Sequence, residues 1–303
     1  MRQQKERVEV MPDHGSPSVR RRRLAAELKR LREERNLTGD DVARRLRWST
    51  SKVSRIENSR TGIKPADLGK LLAIYGISGG HKDELLDLAR EPRRKGWWEA
   101  YSDVLPEWYA GYVIIESEAE SISCWSPEIV TGLLQTKDYA RAVSDTQASS
   151  ASSPGEVSRR VQARLRRQHI LTGDDPIRGT FVLDESVLLR RQGSAATMAG
   201  QLARLLELGN QPNITIVVLP LASASHPVAT GGSFLLLQFP PVPGIGPASD
   251  VVYIEQYAKS ALYVEDESET YQYRLAFERL VAASLSEAES AALIERTRRE
   301  VWS

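Results

Sequence analysis

One cysteine, Cys124, is all the thiol that this 303-residue chain has. No intramolecular disulfide can form and no Cys-based zinc site can close, so a reducing compartment fits best. Histidine is nearly as scarce. His14, His81, His169 and His226 are the only four, and none makes a spaced pair for a metal. No run of about 18 apolar residues occurs, so no membrane span is expected. The opening MRQQKERVEVMPDHGS has no apolar core and does not read as a secretory signal. A cytoplasmic, nucleoid-associated protein is the expectation. There is no Gly-rich phosphate loop, no G-x-S-x-G and no H-E-x-x-H. The chain is therefore expected to be no enzyme and to carry no cofactor and no metal. With 41% hydrophobic and 27% charged residues, collagen-like and wholly disordered classes are excluded.

What is present is an uneven charge. Residues 1–95 carry 24 Lys/Arg against 14 Asp/Glu, a net +10, and residues 96–303 carry 17 against 26, a net −9. A basic third joined to an acidic remainder suggests that the first part meets a polyanion and the second does something else.

Residues 1–18 are polar, with Pro12, Gly15 and Pro17, and are expected to be a disordered tail. Five short helices are predicted across 19–92. Leu24, Leu28 and Leu31 recur at helical spacing and Asn36 is a candidate stop. Thr38 can N-cap the second helix, with Asp40 and Asp41 in its first turn and Val42, Ala43 and Leu46 inside. Ser49 can cap the third, whose Val53 and Ile56 point inward. Pro65 starts the fourth, with Leu68, Leu71, Leu72 and Tyr75 inside, and the fifth ends before Pro92. A tight turn between the second and third helices is helix-turn-helix architecture.

The stretch LREERNLTGDDVARRL, then STSKVSRIENSRTGIKPADLGKLLAIYGI, resembles the DNA-binding domain of the XRE (phage-repressor-like) regulators over about residues 20–90. The resemblance implies a lambda-repressor-like fold with the third helix in the major groove of an operator. Thr50, Ser51 and Arg55 then lie on its outer face as base readers, Arg55 toward guanine O6 and N7. Lys52, Asn58, Arg60 and Lys64 are phosphate candidates, as are Thr38 and the run Arg20, Arg21, Arg22 and Arg23. By the same resemblance Glu57 pairs with Arg32. Arg47 stands where the family usually has a turn glycine, and Gly39 stands for a common Gln. A left-handed backbone at Arg47 would cost about 1 kcal/mol.

Residues 93–303 are expected to form a second, mixed α/β (α+β) domain with four or five strands, so the fold class is multi-domain. Aromatics crowd the junction: Trp97, Trp98, Tyr101, Trp108 and Tyr109, read as packing rather than as a nucleotide-stacking surface. WYAGYVIIESEAESI reads as a helix, and SCWSPEIVTGLLQTKDYARAV as a loop and then a helix. TQASSASSPGE is low-complexity and expected to be mobile. VSRRVQARLRRQHIL is a basic helix, and Val161, Leu165 and Ile170 form its inner side. IRGTFVLDES, NITIVVLPL, GGSFLLLQF, DVVYIEQY and ALYVE read as strands, and helices close the chain. Four positions stand out as candidates for a ligand or partner: Asp184, with a helix-cap alternative; His226 before Pro227; and Arg164 and Arg167, which with Arg166 could attract an acidic partner or be a solvated face.

TGLLQTKDYARA, RRVQARLRRQHIL, FVLDESVLLR, QLARLLEL, VLPLASASHP and GGSFLLLQF, in that order, resemble the C-terminal domain behind XRE domains in actinobacterial regulators. That class is antitoxin-like and is often encoded beside a very small partner protein. The expectation is a sequence-specific DNA-binding regulator, a repressor, acting as a homodimer on double-stranded operator DNA, with a second domain that dimerises or receives a protein or small-molecule signal. The alternative is an antitoxin-like protein that neutralises a small cognate partner and autoregulates its operon.

Overall fold

Leucines at helical spacing need a shared interior, and the first five helices build one around them. The computed structural model describes residues 19–89, 96–147, 153–223, 228, 231–241, 250–256 and 260–303. Helices α1 (Val19–Glu34), α2 (Gly39–Leu46), α3 (Thr50–Glu57), α4 (Pro65–Ile74) and α5 (Gly79–Ala89) enclose Leu24, Leu28, Leu31, Val42, Ala43, Val53, Ile56, Leu68, Leu71, Leu72 and Tyr75. Every one of these was expected inside; Leu46 is only partly buried. Asn36 turns the chain out of α1 with a left-handed φ of 53°. Pro65 sits in the first turn of α4, where its missing N–H costs nothing. The expected tail (1–18) and the domain boundary at 92/93 lie outside the described residues.

A 3-10 turn (Trp97–Tyr101) leads into the second part, and Trp97, Trp98 and Tyr109 pack against its core. The elements that follow are α6 (Glu107–Ser117), β1 (Ser121–Ser126), α7 (Lys137–Gln147), α8 (Pro154–Arg167), α9 (His169–Thr172), β2 (Arg178–Asp184), α10 (Glu185–Leu189), α11 (Ala195–Gly209), β3 (Ile214–Leu219), β4 (Phe234–Gln238), β5 (Val251–Gln256), β6 (Ser260–Val264), α12 (Glu267–Ala283) and α13 (Glu287–Glu300). The strands form one sheet in the order β3-β2-β1-β4-β5-β6. The fold is a helical region followed by a mixed α/β region, as the sequence implied.

Two expectations need correction. The helix predicted through residue 122 stops at Ser117, and the stretch read as a loop holds β1, which lies in the middle of the sheet. The six described strands thus exceed the four or five expected. The sequence SISCWS hides its strand because half of its residues are serines and its alternation is short, ending where the adjacent Cys124 and Trp125 are both buried.

The connections set the strand directions. Helices α7 to α9 lie between β1 and β2, and α10 and α11 between β2 and β3, and these three strands are parallel, as crossovers allow. From β1 to β4 to β5 to β6 the pairing is antiparallel. The register puts Phe181, Cys124, Leu235, Tyr253 and Tyr263 in one row across five strands. That row belongs to the core beneath the helices of one face. On the other face Trp125, Val182, Val217, Phe234, Leu236 and Val252 pack under Phe277 and Leu280 of α12. At the β3 edge, Leu285 N–H donates to Val218 O (2.9 Å), and Val218 N–H donates to Ser290 Oγ (2.9 Å).

Buried polar groups are concentrated where α6 and α8 meet the TGLLQT segment. Arg167 donates from Nε and Nη2 to the two carboxylate oxygens of Glu116, both at 2.6 Å, and from Nη2 to Tyr112 Oη at 2.6 Å. Tyr112 donates to Glu116 in turn. Three glutamines hold the irregular backbone of the segment. Gln135 donates to Val130 O, Gln168 to Gly132 O and Gln135 O, and Gln201 to Leu134 O while accepting from Thr136 N–H. Irregular backbone cannot be buried without such partners.

Removing Glu116 would strand the Arg167 charge in the core. Glu116→Ala is expected to cost about 3–5 kcal/mol of stability, read as a lowered urea midpoint with an unchanged slope.

Candidate nucleic-acid interface

The helix-turn-helix is built by caps and a close approach. Thr38 Oγ1 accepts from Asp41 N–H while the Asp41 carboxylate accepts from Thr38 N–H, a reciprocal capping box. The hydrogen bonds from Thr38 hold the Asp41 carboxyl below the ordinary aspartate range. Helix α2 ends on Arg47, left-handed at φ 56°, ψ 41°, so Arg does occupy the turn conformation that glycine takes without penalty. Trp48 N–H then reaches back to Ala43 O at 2.8 Å, and Ala43 is buried between helices. Ser49 caps α3 by accepting from Lys52 N–H. Val53 and Ile56 fasten α3 inward.

Arg32 and Glu57 form a two-pronged pair, Nε to Oε1 at 2.8 Å and Nη2 to Oε2 at 3.1 Å, with Arg32 Nη1 also donating to Leu37 O. It ties α1 to the end of α3 and fixes the angle at which α3 is presented. The Glu57 hydrogen bond raises the Arg32 pKa above its ordinary value.

Thr50, Ser51 and Arg55 are all exposed on α3. Two of their three polar heads are engaged: Thr50 Oγ1 donates to Asp40 Oδ1 (2.5 Å), and Ser51 Oγ lies 3.0 Å from Ser49 Oγ. The Arg55 side chain has no hydrogen bond or ion pair among the described residues. Lys52 Nζ donates to Asp67 Oδ2 (2.7 Å) and lies 3.8 Å from the centre of the Trp48 ring, so it braces α3 against α4. Asn58 caps the end of α3, donating to Ser54 O. Arg60 and Lys64 are exposed beyond it, Lys64 as the N-cap of α4.

The run from Arg20 to Arg23 opens α1 with no acid in its first turn, where the helix dipole opposes cations. The Arg20 side chain lies outside the described residues, and Arg21 is partly buried. Arg22 and Arg23, expected as a phosphate-binding arm, are instead docked on the second part of the chain. Arg22 pairs with Glu265, and Arg23 Nη2 donates to Pro240 O at 2.8 Å with its guanidinium 5.8 Å from the centre of the Phe239 ring. Glu265 of the second part thus compensates the Arg22 charge at the unfavourable end of α1. Composition pointed to opposite charge in the two parts, but nothing in the sequence shows which residues meet.

Two family profiles match. Residues 23–85 match a helix-turn-helix domain. Residues 109–296, more than half of the chain, match a domain of unknown function, DUF5753. The chain belongs to the DUF5753 family. No curated protein and no solved structure matches it. The helix-turn-helix makes the chain a DNA-binding regulator, and among the described residues no helix is long and apolar enough to cross a membrane.

Within the DUF5753 domain the candidate ligand residues separate. Asp184 ends β2 and caps α10, accepting from Ser186 N–H, and so takes the structural role weighed for it. Its neighbour Glu185 accepts from Leu221 N–H. His226 lies outside the described residues. Arg164 and Arg167 are not on a solvated face: Arg167 is buried against Glu116, and Arg164 donates to Gln135 Oε1, leaving only Arg166 exposed. A helix this rich in arginine reads as surface until Glu116 and Tyr112, one turn apart on α6, are seen to face it. No pattern within α8 itself signals that pair.

Glu265→Gln removes the counter-charge that holds Arg22. The expected result is few-fold tighter binding to any DNA sequence, with the salt slope steeper by about one phosphate contact. Filter binding at several salt concentrations would show no change if Arg22 stays docked.

Proposed function

We propose that this protein is a sequence-specific transcriptional repressor that reads operator DNA with α3 and uses its DUF5753 domain to dimerise and to receive a signal. The observation that carries the reading is the exposed, unengaged Arg55 guanidinium on the second helix of a helix-turn-helix. Its planar fork matches guanine O6 and N7. Thr50 contributes its methyl group to thymine, since its hydroxyl is engaged by Asp40. Arg60 and Lys64, with Thr38 at the start of α2, take phosphates; Lys52 and Asn58 act mainly by holding α3 in place.

Dimerisation follows from the size of the reading unit. Eight residues of α3 reach only a few base pairs, and two half-sites about 34–36 Å apart supply adequate specificity. The protein acts by binding, not by catalysis, and needs no cofactor.

The test is a salt-titrated binding assay of the whole protein on its own upstream DNA, with scrambled DNA as control. Arg55→Ala is expected to cost about 1–3 kcal/mol and to relax preference at one base pair per half-site. Lys64→Ala is expected to weaken binding to every sequence alike and to flatten the salt slope. Unchanged sequence preference in Arg55→Ala would remove α3 as the reading helix.

A further inference from the structure

Two acids open α2, and they are used differently. Asp41 closes the capping box with Thr38 and lies 3.3 Å from Arg44. Asp40, exposed beside it, takes no part in the cap. Its Oδ1 instead accepts from Thr50 Oγ1 at 2.5 Å, across the turn to the first residue of α3. Among the described residues Asp40 pairs with no Lys or Arg. The N-terminal half of the second helix of a helix-turn-helix is the part that meets base edges. Asp40 therefore stands at the reading end of α3, held there by Thr50.

Chemistry fixes the direction of this bond. A carboxylate only accepts, so the Thr50 hydroxyl proton is committed to Asp40. What Thr50 can still present outward is its methyl group and the lone pairs of Oγ1. Ser51 is under no such constraint, since it and Ser49 can each donate to the other over 3.0 Å. The Asp40–Thr50 pair thus offers acceptors only, whereas Arg55, further along the same helix, offers donors only.

An acceptor discriminates between bases in the major groove. Adenine carries N6–H2 where guanine carries O6, and cytosine carries N4–H2 where thymine carries O4. Facing an amino group, Thr50 Oγ1 gains a hydrogen bond. Facing a carbonyl, two oxygens meet with no proton between them, and both are left unpaired in a desolvated interface. An acid near the phosphates also weakens binding to every sequence alike. Its return is discrimination, obtained by penalising the wrong base.

We propose that Asp40 is a specificity-determining residue: it holds Thr50 as a hydrogen-bond acceptor, so that the start of α3 selects the amino group of adenine or cytosine and rejects the carbonyl of guanine or thymine. Asp40 acts through Thr50 and is a positioning residue; Thr50 makes the contact. The Thr50 methyl group stays available to a thymine. The inference rests on α3 being the reading helix, and the test separates the two.

The experiment is selection of preferred sites by the full-length chain from a library of randomised DNA duplexes, followed by titration of duplexes changed at one pair. Wild type is expected to select a pair at one position per half-site that is distinct from the position relaxed in Arg55→Ala. Replacing its amino-bearing base by purine (for adenine) or 2-pyrimidinone (for cytosine) deletes the amino group, and should weaken wild-type binding about tenfold. The same replacement should cost Thr50→Val little, because Val has no oxygen to lose a partner, and should still cost Thr50→Ser. Exchanging adenine for guanine, or cytosine for thymine, should also cost wild type about tenfold. In Asp40→Ala the freed hydroxyl can donate to the carbonyl, so this discrimination should fall severalfold at that position alone, with the Arg55 position keeping its preference. Two results would overturn the proposal while leaving α3 as the reading helix: discrimination unchanged in Asp40→Ala, or amino deletion without cost to wild type at every selected position. Equal loss of preference at all positions in Asp40→Ala would reduce Asp40 to a brace for α3. Preference unmoved by both Arg55→Ala and Asp40→Ala would remove the reading helix and this inference together.

Discussion

The pairing of Arg167 with Glu116 is the interaction on which the DUF5753 domain turns. It joins α6 to α8 across more than fifty residues of chain. Tyr112, which completes it, stands over the sheet against Tyr253 of β5. An ion pair so deep contributes little net stability, because desolvation offsets most of the attraction. Its effect is to permit one arrangement only. Glu116 must face α8, and the segment between β1 and α7 must pass where Gln135 and Gln168 can hold it.

The DNA-binding half is specified differently. Its determinants are local: a capping box at Thr38, a serine cap at Ser49, a small Ala43 at the helix crossing, and leucines at helical spacing. The one long-range polar element is Arg32 with Glu57, which sets how α3 is presented. The left-handed Arg47 shows that the turn tolerates a side chain. The turn's geometry is carried by the caps and the helix crossing on either side of it.

That contrast explains what could be read from the sequence. Short-range periodicity and capping residues encode the five helices. Strands β2 to β6 announced themselves as apolar runs between turn residues. The central strand β1 did not, because three of its six residues are serines and Ile122 is its one β-branched residue. Arg164 and Arg167 were singled out as candidates, but their surroundings were not legible. Burial of an arginine depends on which acid the topology brings to it, and Glu116 lies on another element. The docking of Arg22 on Glu265 is of the same kind, since 243 residues separate the partners.

The closing segment of the chain bears on solubility. Leu285 and Ser290 use up the N–H and C=O of Val218 at the β3 edge. An unpaired backbone edge is a template on which another molecule's strand can add, and repeated addition leads to edge-to-edge aggregation. A short piece of non-strand chain closes that side with two hydrogen bonds. Loss of α13 would therefore expose a parallel, strongly apolar half-sheet to its neighbours in solution, a hazard quite separate from the lost packing.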